Sequence, residues 1–137
     1  MIDFISKDRY CFEDLVRLVH LLRAPGGCPW DGAQTHESIR RNFLEEAYEV
    51  CEAIDEGSPE HLCEELGDLL MQVIFHASMA KDEGAFDMDA IADMACKQLV
   101  HRHPHVFGEV AADTPEKVLE NWDAIKRADR AQQTAAS

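Results

Sequence analysis

Apolar residues recur every three or four positions along most of the chain, which is the spacing of one face of an α-helix. This periodicity predicts helices over residues 8–23, 36–56, 59–83 and 88–103, and a shorter last helix from residue 114. Proline and glycine residues separate these segments, as is usual between helices. No stretch shows the sustained two-residue alternation of a half-buried strand. The pattern therefore predicts an all-α fold.

Only Gly57 and Ser58 separate the second and third predicted helices. Glycine commonly ends a helix, and a serine followed by a proline, here Pro59, is a typical helix start. So short a connection predicts an antiparallel helical hairpin. The third helix would be on the order of 38 Å long, which is more than a core of this size needs alone. We therefore expect the hairpin to complete a four-helix-type bundle with a second subunit.

Two acidic pairs lie on this predicted hairpin, Glu46 with Glu49 and Glu65 with Asp68. In each pair the residues are three positions apart, so both side chains point from one patch of the helix. A single acid on an acidic surface is usually solvated, but four that face each other repel strongly unless cations lie between them. A site for two or three metal ions is the simplest resolution. The first pair borders an apolar stripe formed by Phe43, Ala47, Val50 and Ile54.

The ligand type narrows the choice of metal. Carboxylate oxygens are hard ligands, which suit Mg²⁺ or Mn²⁺ better than Zn²⁺. A di-iron carboxylate bundle is the rival, but it would use a Glu-x-x-His motif, which this sequence lacks. A zinc site at His101, His103 and His105 is a weaker alternative, because neither a cysteine partner at finger spacing nor an HExxH motif accompanies them.

The length and composition of the chain limit the number of domains, the location and the partners that we expect. A length of 137 residues suits one domain, which we place at residues 1–130, followed by a polar tail over residues 131–137. No apolar run approaches the ~18 residues that span a bilayer, and the first ten residues lack the apolar core of a signal peptide, so we expect a cytoplasmic protein. The net charge of −14 disfavours nucleic acid and anionic membranes as partners. It leaves room for a small polyanionic substrate bound through divalent cations.

Several motifs in order along the chain resemble those of the MazG family of nucleotide pyrophosphohydrolases, and together they cover roughly residues 11–127. A lone E-E-x-x-E or E-x-x-D would be a weak signal, but the ordered series at these spacings is specific. The motifs are Gly27-Cys-Pro-Trp-Asp31, Gln34-Thr-His36, Leu44-Glu-Glu-Ala-Tyr-Glu49, Glu64-Glu-Leu-Gly-Asp68, Glu83-Gly-Ala-Phe86, Arg102-His-Pro-His-Val-Phe-Gly108 and Asn121-Trp122.

The resemblance implies a fold of the all-α NTP pyrophosphohydrolase superfamily, in which a partner subunit completes the helical bundle of a homodimer or tetramer. It implies Mg²⁺-dependent hydrolysis of (deoxy)nucleoside triphosphates to the monophosphate and pyrophosphate, by attack of a metal-activated water. The family's metal ligands fall on Glu46, Glu49, Glu65 and Asp68. The family pattern also gives Glu45 a role in binding or activating the attacking water.

The candidate substrate contacts are few. By resemblance Arg102 contacts phosphate, and Lys126 is a second basic candidate, although a solvated cation favoured by the helix dipole is an equally good interpretation of Lys126. Trp30, in a Gly/Pro loop, and Trp122 are the aromatic candidates for packing near the base, while core filling remains an alternative for Trp122.

The chain departs from the family in two respects. Members commonly carry a K-x-x-R-R stretch before the His-Pro-His motif, whereas Gln98 and His101 stand here and only Arg102 remains. This difference puts the strength or selectivity of phosphate binding in question. The better-known members also carry two such domains in tandem, and this sequence has one.

Two other functions remain as alternatives to (deoxy)nucleoside triphosphate hydrolysis. One is a related diphosphohydrolase that acts on another nucleotide, such as phosphoribosyl-ATP or an alarmone. The other is a non-catalytic helical regulator that kept the fold. The intact set of four acidic residues argues against the regulator.

Overall fold

The structure, a computed structural model, describes residues 3–136 of the chain. These residues form seven helices and no strand, which confirms the all-α prediction. The helices are α1 (Phe12–Arg23), α2 (Pro29–Gly32), α3 (Arg40–Glu56), α4 (Pro59–Asp82), α5 (Met88–Arg102), α6 (Pro104–Phe107) and α7 (Pro115–Ala136).

The chain divides into two compact units, the first ending at Met88 and the second beginning at Asp89. The predicted domain over residues 1–130 and tail over 131–137 stay predictions, although the helical backbone of α7 continues to Ala136. Across the described residues, no helix has both the length and the hydropathy needed to cross a bilayer.

In the first unit, α4 packs against both α1 and α3. Its apolar core contains Val19 of α1, Ile39 just before α3, and a group from the second half of α4, namely Ile74, Phe75 and Met79. The second half of α4 is buried on nearly every side, whereas its first half is exposed on one side. Glu65 and Asp68 of α4 therefore lie in its less enclosed half.

The hairpin turn has the predicted geometry. Gly57 has φ 73°, a left-handed conformation that costs glycine little and that lets α3 end abruptly. Ser58 caps α4, because its hydroxyl oxygen accepts a hydrogen bond from the backbone N–H of His61 at 3.2 Å. Pro59 occupies the first turn of α4. The two-residue connection therefore produces the expected antiparallel pair.

The start of α3 differs from the prediction. Thr35 and Ser38 bond each other's backbone N–H groups, at 3.1 and 2.8 Å, and so form a separate turn. The helix begins only at Arg40, four residues later than predicted from residue 36. Threonine and serine side chains compete with the helical hydrogen-bond pattern in this way when they lie close together.

The buried face of α3 also differs from the predicted stripe. Val50 and Ala53 are buried, but Ile54 is 58% exposed. The buried face is thus rotated toward Glu46, and part of the apolar stripe stays uncovered. The reason is that α3 carries more apolar surface than α4 alone can cover.

In the second unit, contacts near the end of α5 involve α7. His101 Nε2 lies 3.1 Å from Asp129 Oδ1, and the rings of His103 and Trp122 meet edge to face with centroids 5.0 Å apart. His103 Nδ1 also lies 2.6 Å from the carbonyl oxygen of Leu99. These contacts favour a packing role for His101 and His103 over a zinc site.

Arg23 connects α1 to α4. Its side chain is 9% exposed, and Nη1 donates to Ser78 Oγ at 2.7 Å and to Asp82 Oδ2 at 2.9 Å. We expect Arg23→Met to lower the free energy of unfolding by about 1–3 kcal/mol, because Ser78 would lose its donor and Asp82 its ion pair. Urea denaturation followed by circular dichroism measures this change.

The matched control is Arg17→Met on the same helix, where the arginine is exposed. That change should stay within about 0.5 kcal/mol of the unsubstituted chain. Equal effects of the two substitutions would show that the bonds of Arg23 contribute nothing to the packing of α1 on α4.

Candidate metal centre

The hairpin brings four carboxylates together, two from α3 and two from α4. Glu49 precedes Gly57 by eight residues and Glu65 follows it by eight, while Glu46 and Asp68 are each eleven residues from it. A tight antiparallel turn therefore places the two pairs level with each other. One oxygen of each of these four residues lies within 4.8 Å of one oxygen of every other. We call these residues the carboxylate quartet.

The quartet lies at the edge of the buried face. Glu65 is 8% exposed, Glu46 and Asp68 are half-buried, and Glu49 is open to solvent. Two oxygens, Glu46 Oε2 and Glu65 Oε2, are buried without a hydrogen-bond partner among the described residues. A buried carboxylate oxygen without a hydrogen-bond partner destabilises the folded state, and native structures rarely contain one.

The electrostatics of the quartet disfavour four negative charges. The pKa of Glu46 is raised, first by burial and then by the charges of Glu49, Asp68 and Glu65. The pKa of Glu65 is also raised, first by burial and then by its closeness to Glu49. Without a counter-charge, the folded chain thus holds these acids in a state that favours protons or cations.

His61 lies within hydrogen-bond distance of the quartet, and the sequence pattern did not reveal it. Its Nδ1 lies 2.6 Å from Glu56 Oε2, and its Nε2 lies 3.1 Å from Glu65 Oε1. The hydrogen bond to Glu56 is the largest cause of a raised pKa at His61, which burial opposes. The available signal was the spacing, since His61 precedes Glu65 by four residues on one helix.

The donor set fits a hard divalent cation. The cluster supplies only carboxylate oxygens, and two of its buried oxygens lack any other partner. A cation would remove both the repulsion and the unsatisfied acceptors. No histidine belongs to the cluster as found in residues 3–136, which is unlike a di-iron carboxylate centre.

Two further predicted residues of the first unit lie outside the quartet. Glu45 is exposed, and its Oε1 lies 3.4 Å from Arg41 Nε. Trp30 lies on the one-turn helix α2 and is 58% exposed, so its indole ring is available to a ligand or a partner. Their predicted roles in water activation and base packing stay predictions.

The remaining candidates belong to the second unit. The Arg102 guanidinium carbon lies 5.6 Å from the centroid of the Trp122 ring, a cation–π arrangement. Arg102 Nε is buried with no hydrogen-bond partner in the described part of the chain. Lys126 follows Trp122 by one helical turn on α7 and is half-buried. The structure therefore brings Arg102 and Trp122 together, as two of the predicted substrate contacts.

Residues 34–107 match the sequence profile of the MazG nucleotide pyrophosphohydrolase domain. The chain belongs to the MazG family. The matched segment contains the whole carboxylate quartet, and the resemblance seen in the motifs is confirmed. MazG domains are a family of hydrolases.

Curated relatives agree with this membership. The chain is 46% identical over 115 residues to the nucleoside triphosphate pyrophosphohydrolase/pyrophosphatase MazG of Thermotoga maritima. It is 44% identical over 126 residues to the nucleoside triphosphate pyrophosphohydrolase of Escherichia coli K12, and 44% identical over 119 residues to the uncharacterized protein YabN of Bacillus subtilis. These matches cover 84%, 91% and 87% of this chain, but only 44%, 48% and 24% of those proteins. The chain thus spans half the length of these relatives or less.

A solved structure shares the fold. The crystal structure of a mazG-related protein from Thermotoga maritima matches with a TM-score of 0.67 and 25% sequence identity. The match covers 84% of this chain and 98% of that chain. The helical architecture described above is therefore one that MazG-related proteins adopt.

The repulsion within the quartet leads to a prediction about stability. We expect Mn²⁺ or Mg²⁺ to raise the Tm of the metal-free chain, by about 10 °C at one hundred times its Kd. Glu49→Gln should raise the Tm in EDTA by a few degrees, because it removes one of four like charges. The same substitution should also remove most of the rise in Tm that the metal ion causes. Differential scanning fluorimetry measures both effects.

Glu52→Gln is the matched control, since Glu52 is an exposed acid on the same helix. It should respond to metal as the unsubstituted chain does. A metal-induced rise in Tm that persists in Glu49→Gln would remove Glu49 from the site.

Proposed function

We propose that this MazG-family chain hydrolyses (deoxy)nucleoside triphosphates to the nucleoside monophosphate and pyrophosphate, in a reaction that depends on Mg²⁺ and accepts Mn²⁺. The observation that carries the proposal is the convergence of Glu46, Glu49, Glu65 and Asp68 within 4.8 Å. Family membership and the names of the curated relatives support the reaction. Nucleoside triphosphates are cytoplasmic metabolites, so we place the activity in the cytoplasm.

The carboxylate quartet would hold the divalent cation. When bound, Mg²⁺ supplies positive charge to the triphosphate oxygens and lowers the pKa of water from its bulk value of about 15.7. Glu45 would accept the proton of the attacking water, since it lies beside Glu46 in the chain and outside the quartet. Arg41 Nε lies 3.4 Å from Glu45 Oε1. Water then forms a bond to the α-phosphorus, the bond to the bridging oxygen breaks, and pyrophosphate leaves.

The phosphate and base contacts come from the few cationic and aromatic residues. Arg102 would bind phosphate, and the Trp122 ring beneath its guanidinium restricts the direction of the group. Lys126, one turn further along α7, would add a second positive charge. Trp30, which is exposed in the first unit, and Trp122 in the second unit are each candidates for packing near the base. With a net charge of −14, the chain would depend on divalent cations to neutralise most of the triphosphate.

The activity is tested with a panel of (deoxy)nucleoside triphosphates and Mg²⁺, with products identified by ion-exchange chromatography. We expect monophosphate and pyrophosphate in equal amounts. Glu49→Gln and Asp68→Asn should each lower kcat/KM by at least about 10²-fold while circular dichroism stays unchanged, because each removes a proposed metal ligand. Glu64→Gln, at an exposed acid next to Glu65, should retain activity.

Other product patterns would decide between the alternatives. Turnover of phosphoribosyl-ATP or an alarmone, with none across the triphosphate panel, would favour a related diphosphohydrolase. No turnover of any of these compounds would favour a helical regulator. Nucleoside diphosphate with phosphate as products, or full activity in both ligand variants, would contradict the proposed chemistry.

A second part of the proposal is self-association through the hairpin, as a homodimer or tetramer. The hairpin exposes large apolar side chains on both of its helices, and such side chains commonly mark contacts between proteins. They are Leu44, Tyr48, Ile54, Leu66 and Leu70. A second copy of the same surface would cover them and complete a four-helix bundle. This arrangement also explains why the apolar stripe of α3 is wider than one chain can bury.

The change Tyr48→Glu tests the association, because it places a charge at an exposed apolar position of α3. We expect light scattering after gel filtration to give the variant a molar mass no more than half that of the unsubstituted assembly. Glu60→Gln, at an exposed residue in the first turn of α4, is the control and should keep the assembly intact. A monomeric unsubstituted chain at micromolar concentration would contradict this part of the proposal.

A further inference from the structure

His61 lies in the first turns of α4 and has a carboxylate partner at each ring nitrogen. Nδ1 lies 2.6 Å from Glu56 Oε2, and Nε2 lies 3.1 Å from Glu65 Oε1. Each ring nitrogen therefore faces a carboxylate oxygen, to which it can donate a hydrogen bond when it carries a proton. Glu56 is the last residue of α3. The imidazole therefore spans the hairpin turn and connects an exposed acid to the most buried member of the quartet.

The contact with His61 involves only one of the two oxygens of Glu65. Oε1 accepts a hydrogen bond from the imidazole, whereas Oε2 is buried with no hydrogen-bond partner in the described residues. A terminal carboxylate otherwise rotates easily about its last torsion. With Oε1 held in place, the direction of Oε2 is determined as well.

We propose that His61 is a positioning residue of the metal centre, which holds Glu65 so that Oε2 alone is offered to the divalent cation. Glu56 in turn holds the imidazole ring. The inference rests on the proposed function, because it requires Glu65 to be a metal ligand. Outer partners that orient a ligand in this way are general at metal centres, and their loss typically costs about 10- to 100-fold in metal affinity.

Two simpler roles for His61 fit the contacts less well. A direct metal ligand needs a free nitrogen lone pair, and both nitrogens of His61 are bonded to carboxylates. A helix cap is already present, because Ser58 accepts from the backbone N–H of His61 rather than from its ring. The ring is therefore not needed to start α4, and its two bonds act on side chains alone.

The test compares His61→Leu with His61→Gln. Leucine removes both donors at similar size, whereas the glutamine amide can still donate to Glu65 four residues later on the same helix. Mn²⁺ binding is measured without nucleotide, by electron paramagnetic resonance of the free ion. We expect the Kd to rise by about 10- to 100-fold in His61→Leu and by no more than about 3-fold in His61→Gln.

Kinetics give a second measurement. In His61→Leu the Mn²⁺ concentration for half-maximal turnover should rise with the Kd, while kcat at saturating Mn²⁺ stays within about 3-fold. Glu56→Ala removes one bond of the His61 ring but keeps its bond to Glu65, so its Kd for Mn²⁺ should lie between those of the unsubstituted chain and His61→Leu. This variant replaces His61→Leu in the test if the latter does not fold. Glu60→Gln, next in the chain to His61, is the control and should bind Mn²⁺ as the unsubstituted chain does.

The outcomes separate the inference from the proposed function. If the unsubstituted chain binds no Mn²⁺, or if Glu65→Gln binds it equally well, the proposed metal centre fails and the inference with it. If binding depends on Glu65 but His61→Leu binds as tightly as the unsubstituted chain, the inference alone is overturned. Equal losses in the leucine and glutamine variants, or a large fall in kcat at saturating Mn²⁺, would also overturn it.

Discussion

The mutual repulsion of four carboxylates is the constraint on which the rest of this structure depends. Nothing in the local preferences of α3 or α4 would bring these charges together. They are held within 4.8 Å because a two-residue turn at Gly57 and Ser58 fixes the register of two long helices. The apolar packing of the second half of α4 then opposes the separation that the charges favour. The fold thus stores an unfavourable interaction that a divalent cation would relieve.

Short sequence patterns made the hairpin and the positions of the carboxylate quartet predictable. A helix end at glycine, a helix start at Ser-Pro, and acids three residues apart are all determined within a few residues of sequence. Equal distances from Gly57 then place Glu49 level with Glu65 by simple geometry. For this reason the positions of the quartet followed from the sequence, although their role in metal binding stays a prediction.

Features that depend on competition between neighbours were not predictable in the same way. The start of α3 was placed too early, because Thr35 and Ser38 bond each other instead of extending the helix. The buried face of α3 was misplaced, because periodicity shows how much apolar surface a helix has but not which part its own chain covers. His61 was missed since its role depends on Glu56 and Glu65, one on each helix. In none of these cases does the apolar periodicity of a helix alone decide the outcome.

The helix α3 serves two opposite requirements, and this explains its unusual composition. On one side it approaches α4 closely enough for carboxylates of both helices to lie within 4.8 Å of one another, and one buried residue of the helix is small, Ala53 at 1% exposure. A larger side chain at that position would separate the helix axes and the quartet with them. On the other side it keeps Leu44, Tyr48 and Ile54 exposed. The single chain thus leaves two surfaces of α3 without a partner, an acidic one beside α4 and an apolar one on the side away from it.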